Sequence, residues 1–275
     1  MPFALLQSRL EIPNVDALRR AFRGVGGLAP ADAPTIARDG FGILLRQLTE
    51  EDAGALQSSL AREGVATEIV DERALPAVPP SKLMRRVVYR LDAFVGYDPY
   101  DRELVIPWDR VALAAVGQMA GAGAGWRSES SLDGTTQTEV LLLENLLRTG
   151  TFEVEERQPK MVRPKSEIES GIWVADFILV GGEIRFTLQA HQLAIVGLGE
   201  RDMEDPLTNF FTFVRDSLWQ LPSALLNRAA YALREELLDR LLDGHADCPR
   251  YPTRNAYHEE LIWLLWRLRQ SGRPV

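Results

Sequence analysis

MRRVVYRLDAFVGYDPYDRELVIPWDRVALAAVG, residues 84–117, alternates short apolar runs with tight polar turns. Val87, Tyr89 and Leu91 alternate with Val88, Arg90 and Asp92, the period-two pattern of a half-buried strand. A short turn near Asp92–Ala93 leads to a second strand carrying Phe94, Val95 and Tyr97. Asp98-Pro99-Tyr100-Asp101 has the aspartate-before-proline chemistry of a type I turn. Leu104, Val105 and Ile106 begin a third strand. Pro107 ends it or holds it at a sheet edge, because proline lacks the N–H that a central strand needs. Val111–Val116 make a fourth strand. This pattern defines architecture and carries no chemistry of its own.

Upstream, FALLQSRL at 3–10 reads as a strand, and Asn14 or Asp16 can cap the helix VDALRRAFRGV. A loop over 28–40 holds two prolines, with a short strand at 35–38. FGILLRQL at 41–48 is a buried strand, Thr49 caps a second helix that Gly64 stops, and VATEIVD at 65–71 is the next strand. The order is β-α-β-β-α-β, the ferredoxin-like arrangement. The segment LTEEDAGALQSSLAREGVATEIVDE resembles a family of small bacterial domains with this fold, mostly uncharacterised and some described as signal-transducing. That resemblance implies a fold and brings no site residues. Domain boundaries follow: a ferredoxin-like α+β domain over 1–75 and a stiff proline-rich linker over 76–83.

Downstream, WVADFILVGG and EIRFTLQAHQLAIVGL at 173–198 add strands around a Gly181-Gly182 hairpin turn, and PLTNFFTFVRDSLWQL is a helix. The strand pair, the IPWDRV step and these later strands resemble the small barrels of pleckstrin-homology-like and GRAM-like domains. The resemblance implies a PH-like β-barrel over 84–221, more often a binding scaffold than an enzyme. Residues 118–170, with QMAGAGAGW and SESSLDGTT, read as a flexible insert, in which 137–148 is ambiguous between helix and strand. The tail, 222–275, is helical: Ser223 caps one long helix to Gly244, and HEELIWLLWRLRQ is the last. The last helix is apolar nearly all round and requires burial on two sides.

Composition narrows the function. The chain has 275 residues, 46% hydrophobic and 25% charged, ordinary values for a soluble multidomain protein. A net charge of −8 argues against a nucleic-acid binder, which usually shows a basic face, and disfavours anionic membranes. Cys248 is the single cysteine, so neither an intramolecular disulfide nor a cysteine-based metal cluster is expected. With no signal-peptide pattern and no run of 18 apolar residues, the expected location is cytoplasmic.

His245, Asp247, Cys248 and His258 are the candidate metal ligands or thiol nucleophile with base, although their spacing matches no zinc signature. The bland reading is a polar turn between helices. Gly121–Gly125 lacks the lysine and the helix start of a phosphate loop. A catalytic carboxylate pair could be drawn from Asp98, Asp101, Glu103 and Asp109, but Asp98 and Asp101 sit in one turn, where carboxylates bond backbone N–H groups as a matter of course. Trp263, Leu265 and Trp266 exceed one packed face and are the candidate interaction residues. The sequence therefore points to a non-catalytic binding, scaffold or sensing protein for a protein or small-molecule ligand, with no cofactor. The alternatives are a metal-assisted hydrolase using His245, Asp247 and His258, and a homo-oligomer assembled through the last helix.

Overall fold

A computed structural model describes residues 1–11, 13–119, 171–199, 205–235 and 250–272. Phe3–Gln7 (β1), Ile43–Leu48 (β2) and Thr67–Asp71 (β3) form an antiparallel sheet of order β2-β1-β3. Helices Val15–Phe22 (α1), Ala33–Asp39 (α2) and Glu50–Arg62 (α3) accompany it. The Asn14 side chain caps α1 by accepting from the Asp16 and Ala17 amides, and Thr49 caps α3 by accepting from Asp52 N. The strand expected at 35–38 is instead part of α2. Pro34 stands in the first turn of α2, where its missing N–H has no intrahelical partner to lose. Ala33 and Ala37, one turn apart, bury in the cluster that holds Leu18 and Phe22 of α1. The N-terminal order is thus βααβαβ, with three strands.

The second half is mixed as well. Ser81–Met84 (β4) and Arg86–Tyr89 (β5) are followed by Ala93–Tyr97 (β6), Glu103–Pro107 (β7) and Val111–Met119 (β8). Then come Ile172–Leu179 (β9), Arg185–Gln189 (β10), Ala194–Val196 (β11), Leu225–Leu226 (β12) and Arg250–Tyr251 (β13). The helices here are Pro206–Trp219 (α4), Arg228–Arg234 (α5) and Arg254–Gln270 (α6). One sheet runs β12-β8-β9-β10-β4, with β13 also on β8, and the other runs β11-β5-β6-β7. Strand β4 pairs in parallel with β10, and β5 with β11, so a single chain bend at Arg85 passes from one sheet to the other. The proline-rich linker therefore gives way to paired strand at Ser81.

Strands from both sides of the insert pair directly: Val111↔Leu179 through Met119↔Ile172 join β8 to β9. Even so, no barrel closes among the described residues. Strands β7 and β8 belong to different sheets, and the 3-10 turn Trp108–Arg110 carries the chain between them. Trp108 donates its indole N–H to Arg90 O at 3.1 Å and packs on Phe94 and Tyr89, at 5.2 and 5.9 Å between centroids. Phe94, Phe177 and Phe186 meet Phe210, Phe211 and Phe213 of α4 in the core that joins the two sheets. Asp205 caps α4 by accepting from Thr208 N.

The long helix expected from Ser223 begins only at Arg228. Leu225 and Leu226 pair with Leu113 and Ala114 as a strand, and Asn227 caps α5 by accepting from Ala230 N. Helix α6 packs mainly on β2, β8, β12 and β13. Tyr257, Leu261, Leu264 and Leu268 recur at helical spacing and are buried. Glu259, Trp263, Trp266 and Arg267 make a second stripe, and each bonds to the N-terminal sheet or the loop ends beside it. Two sides of one helix are thereby covered, and Met1–Ala120 with Ile172–Val275 form one compact unit. No helix among the described residues is long and apolar enough to cross a membrane.

Candidate functional site

Alternation along β9 sends Trp173, Ala175 and Phe177 into the aromatic core and Asp176 to the opposite face. Along β10, Phe186 and Leu188 face the core, so Arg185 and Thr187 join Asp176. All three are buried. Thr187 donates its hydroxyl to Asp176 Oδ1, and Ser81 donates to Thr187 Oγ1 at 2.6 Å. Arg185 Nη1 lies 3.7 Å from Asp176 Oδ2 and 3.2 Å from His258 Nε2 of α6. A guanidinium can only donate, so this nitrogen of His258 accepts. Burial, together with the nearby Asp176 charge, pushes the Tyr257 phenol well above its ordinary range.

A second buried network lies where β8, α5, β13 and α6 meet. Asn227 accepts from Val116 N at 2.9 Å and donates to Val116 O at 2.7 Å and to Tyr251 OH at 3.1 Å. Tyr251 in turn donates to the Glu260 carboxyl. Glu260 also accepts from Arg228 N at 3.4 Å, and burial raises its pKa. Phe41 packs on Tyr251 at 4.6 Å between centroids, with the Arg228 guanidinium 4.7 Å from its ring. Both networks fasten elements together, and the residues that form them are closed in by those elements.

His258 is the one member of the proposed metal set among the described residues; His245, Asp247 and Cys248 lie outside them, as does Gly121–Gly125. No group of three or more His, Cys, Asp or Glu side chains able to hold a metal occurs among the described residues. Trp263 and Leu265 are buried within the chain. Trp263 donates to Gln7 O at 2.8 Å, and Trp266 donates to Glu68 at 2.9 Å. Their apolar surface is used within the molecule. Asp98 accepts from the amides of Tyr100 and Arg102, at 2.8 and 3.0 Å, and Glu103 accepts from the Tyr97 hydroxyl. Those carboxylates hold turns and strands.

Two features face outward. One is a shallow groove of about 360 Å³ lined by Met1, Pro2, Phe3, Gln47, Leu48, Thr49 and Glu50. The other is the sheet β11-β5-β6-β7. Its register places Val196, Val88, Val95 and Val105 in one cross-strand row, on the face opposite Val87, Phe94 and Ile106. Val105 and Val196, the ends of the row, are 55% and 49% exposed, whereas Val88 is half-buried and Val95 buried. Beside the row, the Arg86 guanidinium lies 3.8 Å from the Tyr97 ring centroid. Leu91 and Tyr100 extend from the adjoining turns. The buried pair Asp176–Arg185 escaped sequence reasoning, although a lone aspartate inside IWVADFIL was a readable signal for a buried partner.

The fold these elements define is mixed α+β. No protein-family model, curated protein or solved structure matches this chain.

Proposed function

We propose that this chain is a cytoplasmic, non-catalytic binding or scaffold protein that engages a protein partner through the sheet β11-β5-β6-β7. The observation that carries the reading is where apolar surface is left uncovered. Of the seven exposed large apolar side chains among the described residues, four (Leu91, Tyr100, Val105 and Val196) belong to this sheet and its turns. These four rim the sheet, Val105 and Val196 at its two edges and Leu91 and Tyr100 in its turns, with Val88 half-buried and Val95 buried between them. Exposed apolar groups shared by one sheet mark a contact site. The buried polar groups support the same reading, because their hydrogen bonds are spent on holding elements together. On this reading the N-terminal sheet is a ferredoxin-like unit without its outer strand. The two linked sheets are a splayed relative of the PH-like barrel. A photo-crosslinking residue at Val196 is expected to trap a discrete protein adduct in cells, and the same residue at exposed Glu50 is not. Equal labelling from both positions, or none from Val196, removes the proposal.

A further inference from the structure

We propose that one partner of this sheet is a second copy of the chain, joined antiparallel through strand β7 about a two-fold axis at Val105. This rests on the sheet being a binding surface and names the occupant of its β7 edge. In the order β11-β5-β6-β7, β7 bonds on one side only among the described residues. Trp108 N donates to Asp92 O, and Asp98 N to Arg102 O, so the even-numbered peptides from 102 to 108 serve the ladder to β6. The antiparallel alternation turns Glu103, Val105 and Pro107 to the open edge.

A two-fold axis through Val105 fits that edge to itself. Val105 N–H meets the C=O of the partner's Val105, and the reverse. Glu103 N–H meets the C=O of the partner's Pro107, and the reverse. Every free N–H of β7 then has an acceptor. Pro107 has none to place, and it stands at the strand end, where proline is tolerated. On the core-facing side Leu104 lies opposite the partner's Ile106, an apolar cross-strand pair. On the outer side Val105 lies beside the partner's Val105, so the two valine rows continue into one another. Within Glu103–Pro107 the register opposes no like charges, since Glu103 faces a proline. An isologous contact of this kind is the commonest route to a dimer. It does not use Trp263 and Leu265, which are buried within the chain. Two five-residue strands cover less than the roughly 1,600 Å² of an ordinary stable interface, so the dimer is concentration-dependent.

The register makes the test specific. Opposed residues in such a pair lie about 5.5 Å apart, within disulfide range. The two copies of Glu103 would be separated by four residues, roughly 13 Å, beyond it. In a Cys248→Ser background, Val105→Cys is expected to oxidise to a covalent dimer, and Glu103→Cys to remain monomeric. Val105→Pro removes one edge N–H without touching the ladder to β6, and is expected to shift the mass measured by sedimentation toward monomer. The proposal is overturned by a monomeric wild type at high micromolar concentration with no Val105→Cys dimer. It is equally overturned by equal cross-linking at both positions, or by Val105→Cys trapping a different protein. Any of these leaves the Val196 photo-crosslinking result standing, since Val196 is on the opposite edge of the sheet.

Discussion

Gly42 has a backbone φ of +82°, and a Cβ built there would meet Trp263 Cγ at 2.4 Å. Only glycine satisfies both demands, because an L side chain resists that φ and the indole leaves no space. Gly42→Ala is therefore expected to lose about 1–3 kcal/mol, read as a lower midpoint in urea unfolding. Glu260 offers a test by pH. Burial raises its pKa, so the folded state holds the proton more tightly than the unfolded chain does. Its contribution is fully present below the ordinary carboxyl range and is lost as pH rises through the folded-state pKa. Glu260→Gln lacks that loss. The stability of the variant relative to wild type is expected to rise with pH between acid and mildly alkaline buffers, and a pH-independent difference in melting temperature would contradict this account.

At the scale of elements, Asp176 and Arg185 join β9 and β10 beneath α6. Arg185 Nε makes no hydrogen bond in that buried position, so the pair is held with an unmet donor. Removing one member strands the other charge away from water, at about 3–5 kcal/mol, whereas replacing both with apolar groups of similar volume recovers most of the loss. Arg185→Met alone is expected to be far less stable than Arg185→Met combined with Asp176→Leu, and a chemical-denaturation cycle measures the difference. How much of each element was legible follows the same physics. Capping and periodicity are local, so Asn14, Thr49, Gly64 and the Gly181-Gly182 turn were readable, as were the strands of 84–117. Tertiary contact decided the rest. Pro34 reads as a loop signal until Ala33 and Ala37 find α1. Leu225 and Leu226 read as helix until β8 offers a strand partner. Asp176 could be noticed alone, but Arg185 as its partner depends on β9–β10 register.

For the whole molecule, α6 explains why the three sheets of the described residues belong to one compact unit. Its two stripes bind sheets that do not pair with each other, and the Arg46–Glu259 ion pair at 2.8 Å adds a polar clamp at its rim. The hairpin β8–β9 has a different consequence. Met119 and Ile172 are registered partners, so the chain leaves the sheet and re-enters it at the same place. Closing a loop across such a junction costs about 0.6 kcal/mol more for each doubling of its length. Replacing residues 120–171 with an Asn-Gly turn is expected to leave β8–β9 paired, with amide exchange protection across both strands retained. Lost protection there would show that the excursion holds the hairpin together. Retained protection would make the junction a socket, a point where other lengths of chain can be plugged in while β8 and β9 keep their register.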